Sequence, residues 1–127
     1  NDYWVWKAIN VINPRLVVAE YNAVFGPDRA LTIKYDPNYF YTFKKNPLYF
    51  GASLAALKKL GDSKGYILVG CDSEGHDALF VRRDLAQGKF QELSTEDAFY
   101  PMRHLFKKVG SLEKQFEKIK DLDLEYL

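Results

Sequence analysis

The chain has 127 residues, the length of one ordinary domain, and 47% of them are apolar, enough for a core of its own. Its net charge of +1 leaves no basic footprint for nucleic acid or an anionic membrane surface. One cysteine, Cys71, excludes an internal disulfide framework and fits a reducing, cytoplasmic compartment, and with one cysteine and two histidines in all, no zinc site is expected.

No apolar run approaches the roughly 20 residues of a membrane span, and no signal-peptide pattern opens the chain. Asn1 and Asp2 are candidate N-caps, and Val5, Ala8, Ile9 and Ile12 recur at helical spacing. They predict a helix over about Asp2 to Ile12, stopped by Asn13-Pro14 because the residue before proline leaves the α region. A chain that enters a helix at once reads as the continuation of a larger protein. Leu16, Val17, Val18 and Ala19 form an unbroken apolar run, which predicts a strand buried on both faces of a parallel sheet and ending in Glu20, Tyr21 and Asn22.

A long segment follows. Gly26-Pro27 and Asp36-Pro37 mark turns, and Ala30–Tyr35 has the composition of a short strand. The stretch from Tyr35 to Leu48 is aromatic and irregular, a length of loop that is usually functional or mobile. Ser53 caps a helix whose Leu54, Leu57 and Leu60 share a face, and Gly65 suits the left-handed position after its end. Tyr66–Asp72 and Ala78–Asp84 are strands joined by a tight turn. Ser94 caps a short turn, Pro101 opens a helix ending near Gly110, and Ser111 caps a last helix with Leu112, Phe116 and Ile119 on one side. Arg15–Asn22, Gly51–Lys64 and Tyr66–Asp72 therefore make one strand–helix–strand crossover, which the hairpin extends by an antiparallel strand.

This order resembles the second half of a class I S-adenosylmethionine-dependent methyltransferase, a doubly wound sheet with an antiparallel seventh strand between the fifth and sixth. Asn1–Trp6, Glu20–Asn22, Tyr49–Leu57 and Lys64–Arg82 are similar to bacterial methyltransferase-like proteins of the FkbM type. Phe50, Asp72 and His76-Asp77 depart from that pattern, which tends to carry Tyr, Asn and an apolar residue there. The resemblance covers Asn1 to Leu85. It implies an α/β fold, the C-terminal half of a Rossmann-like sheet of parallel strands with an antiparallel hairpin, over residues 1–85. Residues 86–127 are expected to be a helical C-terminal extension.

The implied activity is O-methylation of a small-molecule or saccharide acceptor, with S-adenosylmethionine as the cofactor of the intact protein. The glycine-rich turn and the ribose-binding carboxylate of that fold belong to its first half, so no cofactor is expected on these residues alone. The alternative is a non-catalytic methyltransferase-like module that binds a partner, with the C-terminal helices as a surface for self-association. No G-x-S-x-G elbow supports a hydrolase.

Glu20 is the candidate catalytic residue, orienting an acceptor hydroxyl or taking its proton; the competing reading pairs it with Arg15 or Arg29. Asp2, Tyr3, Tyr21, Asn22 and Tyr49 are expected near substrate or cofactor, and Asp2 is equally a helix cap. The aromatic loop is either a substrate lid or a satellite cluster over the sheet. Lys44-Lys45 can meet a phosphate or stay solvated. Cys71 reads as an inert thiol, His76 as a turn residue beside Asp77, and His104 as part of a solvated face.

Overall fold

The computed structural model describes residues 1–41 and 46–127. Helix α1 spans Asp2–Ala8 and ends earlier than its periodicity predicts. Ile9 leaves the helix with extended dihedrals, and the Asn10 side chain donates to the Ala8 carbonyl at 3.2 Å, offering that group a partner outside the helix. Strand β1 is Leu16–Glu20, followed by a 3-10 turn at Ala23–Phe25 and a short strand β2 at Leu31–Ile33. Helix α2, Leu54–Ser63, starts where expected: Ser53 Oγ accepts from the Ala56 amide at 3.0 Å and also from the Leu31 amide at 3.1 Å. Strands β3, Tyr66–Cys71, and β4, Asp77–Arg82, form the expected hairpin.

The expected Rossmann-like sheet is not formed. Every strand pairing among the described residues is antiparallel, in a three-stranded sheet of order β1-β4-β3 and a two-stranded sheet of β2 and β5 (Leu124–Tyr126). The crossover through α2 sends β1 and β3 the same way, and the returning strand β4 lies between them, the place expected for the antiparallel seventh strand, and takes the ladder bonds of both. Leu16 pairs with Val81 and Glu20 with Asp77 on one side of it; Tyr66 pairs with Arg82 and Cys71 with Ala78 on the other. β1 is consequently an edge strand. Leu16 and Val18, expected to be buried, are 51% and 53% exposed, because Ala86 covers their face of the sheet only over Ile67 and Val81 and leaves the β1 end open.

The other face carries the main core. Trp6 of α1 packs on Phe80 with ring centroids 4.9 Å apart, over Gly61 of α2. A Cβ at Gly61 would stand 3.0 Å from the Trp6 ring and 3.1 Å from Phe80, so this glycine in a helix allows the close approach. Leu54 and Leu57 are fully buried against the same cluster, and burying each contributes about 1.5–3 kcal/mol. The residues after 85 are not peripheral to it. Helices α3 (Arg83–Ala86), α4 (Thr95–Ala98), α5 (Arg103–Lys108) and α6 (Leu112–Glu117) follow in order. Ala98, Met102, Leu105 and Ile119 are buried in the core of α1 and α2. Strand β5, which no local signal predicted, closes the chain on β2, and the Leu127 amide donates to the Ala30 carbonyl.

The hairpin turn is held by Asp72. Its carboxylate accepts from the amides of Glu74 at 2.7 Å, His76 at 2.9 Å and Asp77. Partial burial pushes this carboxyl up, but the three amides outweigh it and hold the pKa below the ordinary aspartate value. A depressed carboxyl contributes stability above its unfolded pKa and loses it as pH falls through the folded pKa. Asp72→Asn is expected to cost about 1–2 kcal/mol at neutral pH, allowing for its partial exposure. Urea titrations of both proteins across pH should show that gap closing in acid, as Asp72 itself becomes protonated.

Candidate functional site

Three pieces of chain meet at the C-terminal end of β1. Glu20 closes the strand, the hairpin turn brings His76 beside it, and the segment from Met102 through α5 forms the far wall. The turn is pressed onto this segment: Gly75, at φ +80°, lies directly against the backbone of Tyr100–Met102. Tyr21 locks the same junction, its hydroxyl donating to the Tyr100 carbonyl at 2.7 Å and accepting from the Tyr100 amide at 3.2 Å. Between these walls opens a cleft of about 980 Å³, the size of a small-molecule site.

Glu20 and Asp2 both line this cleft. Asp2 does not cap α1; its Oδ2 accepts the Glu20 amide at 2.9 Å, tying the start of α1 to the end of β1. The Glu20 side chain makes no ion pair among the described residues. Arg29, one of its expected partners, instead donates to the Phe25 carbonyl and lies 4.3 Å over the Phe116 ring. Burial raises the Glu20 pKa above the usual glutamate value, and the nearby carboxylates of Asp2 and Asp77 raise it further. An unpaired carboxylate with a raised pKa at a cleft is suited to accept a proton.

The described part of the aromatic segment takes no regular structure and covers this cleft. Tyr39, Tyr41 and Leu48 line it together with Phe50. Tyr41 and Phe50 meet edge to face at 5.6 Å, and the Tyr39 hydroxyl donates to the Tyr49 carbonyl at 2.9 Å. Burial pushes the Tyr39 phenol up, so it stays a neutral donor. Lys44 and Lys45 lie outside the described residues.

The remaining expected residues lie elsewhere. Tyr3 is buried in the core under α1. Tyr21 is fully buried, and Tyr49 sends its hydroxyl to the Asp123 carbonyl at 2.7 Å. Asn22 is also fully buried and serves as a backbone latch. Its Nδ2 donates to the carbonyls of Leu48 and Phe50 at 2.8 and 3.0 Å, and its Oδ1 accepts from the Val24 amide. Asn22 thus holds the base of the aromatic segment against the end of β1, and shapes the cleft without reaching into it. Burial drives the Cys71 thiol up to about 12, consistent with an inert thiol beside Tyr21.

The sequence reading missed the wall supplied by the tail. His104, Lys108 and Lys118 face the cleft with Leu105 and Val109, and the His104 ring stacks on His76 at 6.4 Å. No local pattern marks these positions. Only the pressure of the Gly75 turn on Tyr100–Met102 brings them to Glu20.

S-adenosylmethionine does not fit the described residues as a complete site. No glycine-rich turn leads from a strand into a helix, and β1 runs instead into the Asn22-capped 3-10 turn. Every buried side-chain nitrogen and oxygen among the described residues has a hydrogen-bond partner. No group of His, Cys, Asp and Glu among them could hold a metal ion, and no helix is long and apolar enough to cross a membrane. Comparison with protein-family models, curated proteins and solved structures finds no match to this chain.

Proposed function

We propose that this chain is the acceptor-binding part of an O-methyltransferase, taking a hydroxyl-bearing small molecule or saccharide in the cleft at the end of β1. The observation that carries this reading is the Glu20 carboxylate, unpaired and with its pKa raised, opening on a cleft lined by Tyr39, Tyr41 and Phe50. The rings give an acceptor ring a stacking surface. Glu20 orients the acceptor hydroxyl and receives its proton, and Asp2 fixes the strand end from which Glu20 projects. S-adenosylmethionine, the donor implied by the resemblance of Asn1–Leu85 to methyltransferases, is held by residues outside this cleft.

The test has two stages. Saturation-transfer NMR with monosaccharides and hydroxylated aromatic acids should find binders of this chain, and Phe50→Ala should weaken them. A panel without a single binder overturns the reading. With a binder as acceptor, in the protein that carries the donor site, Glu20→Gln should lower methyl transfer by about 10²–10⁴-fold while the fold survives. Turnover should rise with pH through a point above the ordinary glutamate value, and the variant should lose that limb. A second reading is a non-catalytic binding module, in keeping with β1 running into the Asn22-capped 3-10 turn rather than a glycine-rich turn. It expects the same binding and no transfer under any condition.

A further inference from the structure

We propose, on the reading of this cleft as an acceptor site, that the acceptor carries a phosphate monoester, held by Lys108 and Lys118 on the wall supplied by the tail. Charge is divided across the cleft. Asp2 and Glu20 line it from α1 and β1, and Lys108 and Lys118 line it from α5 and the end of α6. The two signs do not neutralise each other. No ion pair joins them, and neither lysine pairs with any carboxylate among the described residues. Lys120, two residues past Lys118, shows the ordinary alternative, with its ammonium 2.7 Å from the Glu117 carboxylate.

Packing fixes where these lysines start. His104 and Lys108, and beside them Leu105 and Val109, are pairs four residues apart, so they share one face of the α5 segment. Leu105 is buried in the core and seats that face, and Lys107 does not line the cleft. Gln115, 1% exposed, donates from Nε2 to the Gly110 carbonyl at 2.8 Å, which ties α6 to the end of α5. Ile119, next to Lys118, is fully buried. These two buried neighbours set the Lys118 backbone, and its side chain reaches the same cleft as Lys108. The His104 ring, stacked on His76 at 6.4 Å, adds an imidazole to this wall.

The charge count selects phosphate. Two ammonium groups supply about two positive charges, and a phosphate monoester carries roughly −1.5 to −2 at neutral pH. A carboxylate answers only one of them. No arginine lines the cleft, so the planar fork that grips a carboxylate in two parallel bonds is missing, whereas ammonium groups hold phosphate as point charges. Leu105, Val109 and Phe50 line the same space, and apolar walls leave the attraction less screened than on an open surface. Glu20 repels the phosphate. The two charges therefore orient the acceptor, with its phosphate on the lysines and a hydroxyl left for Glu20.

Calorimetric titration tests it, with glucose, mannose and galactose set beside their phosphate monoesters and inorganic phosphate. At least one monoester should bind about tenfold or more tighter than its neutral parent. Inorganic phosphate should compete with it. The double variant Lys108→Gln/Lys118→Gln should lose that advantage. Lys107→Gln/Lys114→Gln, which removes the same charge outside the cleft, should keep it. Both lysine pairs are exposed, and near-ultraviolet circular dichroism of Trp4 and Trp6 checks that each variant is folded. A neutral sugar that binds as tightly as its monoester, or a preference that survives the cleft variant, overturns the phosphate assignment and leaves the acceptor reading standing. Inorganic phosphate bound through the two lysines, with no sugar or monoester bound more tightly, overturns the acceptor reading and keeps the phosphate site. No binding of any probe overturns both.

Discussion

Gly75→Ala is expected to lower the melting temperature by on the order of 15 °C. A Cβ built there would lie 2.5 Å from the Tyr100 carbonyl oxygen, 2.7 Å from the Pro101 carbonyl carbon and 2.9 Å from the Met102 amide nitrogen. All of these are backbone atoms, so no side chain can turn aside. The residue also sits at φ +80°, where a side chain adds strain. Together the clash and the strain should cost on the order of 4 kcal/mol, a large share of the stability of an ordinary domain. Thermal denaturation followed by far-ultraviolet circular dichroism reads this directly. A variant melting within a few degrees of wild type would show that the turn does not rest on Tyr100–Met102, and the far wall of the cleft would lose its anchor.

Asn22→Ala should come close to that effect by a different route. Truncation removes the partners of the Leu48 and Phe50 carbonyls and of the Val24 amide at a site with no exposure. Each orphaned group costs roughly 1–3 kcal/mol, for a total of about 3–5 kcal/mol once relaxation is allowed. Asn22→Asp is expected to be no better, since a carboxylate cannot donate to two carbonyls and is buried besides. Chemical denaturation gives the size of the loss. Acceptor binding separates this latch from a contact residue: if Asn22→Ala kept wild-type stability and lost binding, Asn22 would belong to the site.

Several features of the molecule were legible because they are local. The caps at Ser53, Ser94 and Ser111 each accept an amide three residues on, a bond set by a handful of dihedral angles. The β3–β4 hairpin closes over a turn whose hydrogen bonds Asp72 makes within its own neighbourhood. The position of Glu20 at the end of β1 was legible for a related reason, since polar residues close the apolar run there. The aromatic segment could be recognised as irregular from its prolines and rings, and it does lie near Glu20.

Other features had no local signature. The apolar run of β1 reads the same for a strand covered on both faces and for one at an edge; placing β4 beside it left Leu16 and Val18 in the open. Asp2 has the chemistry of a helix cap, and only the approach of β1 turned its carboxylate to the Glu20 amide. Asn22 has the chemistry of a ligand contact, and only the return of Leu48 and Phe50 made it a latch. The partners of a backbone or polar group are chosen by whatever chain arrives next to it. Capping, turn formation and apolar periodicity were therefore settled by near neighbours in the sequence, whereas strand order, the open edge and the far wall of the cleft were settled by distant segments brought together in the core.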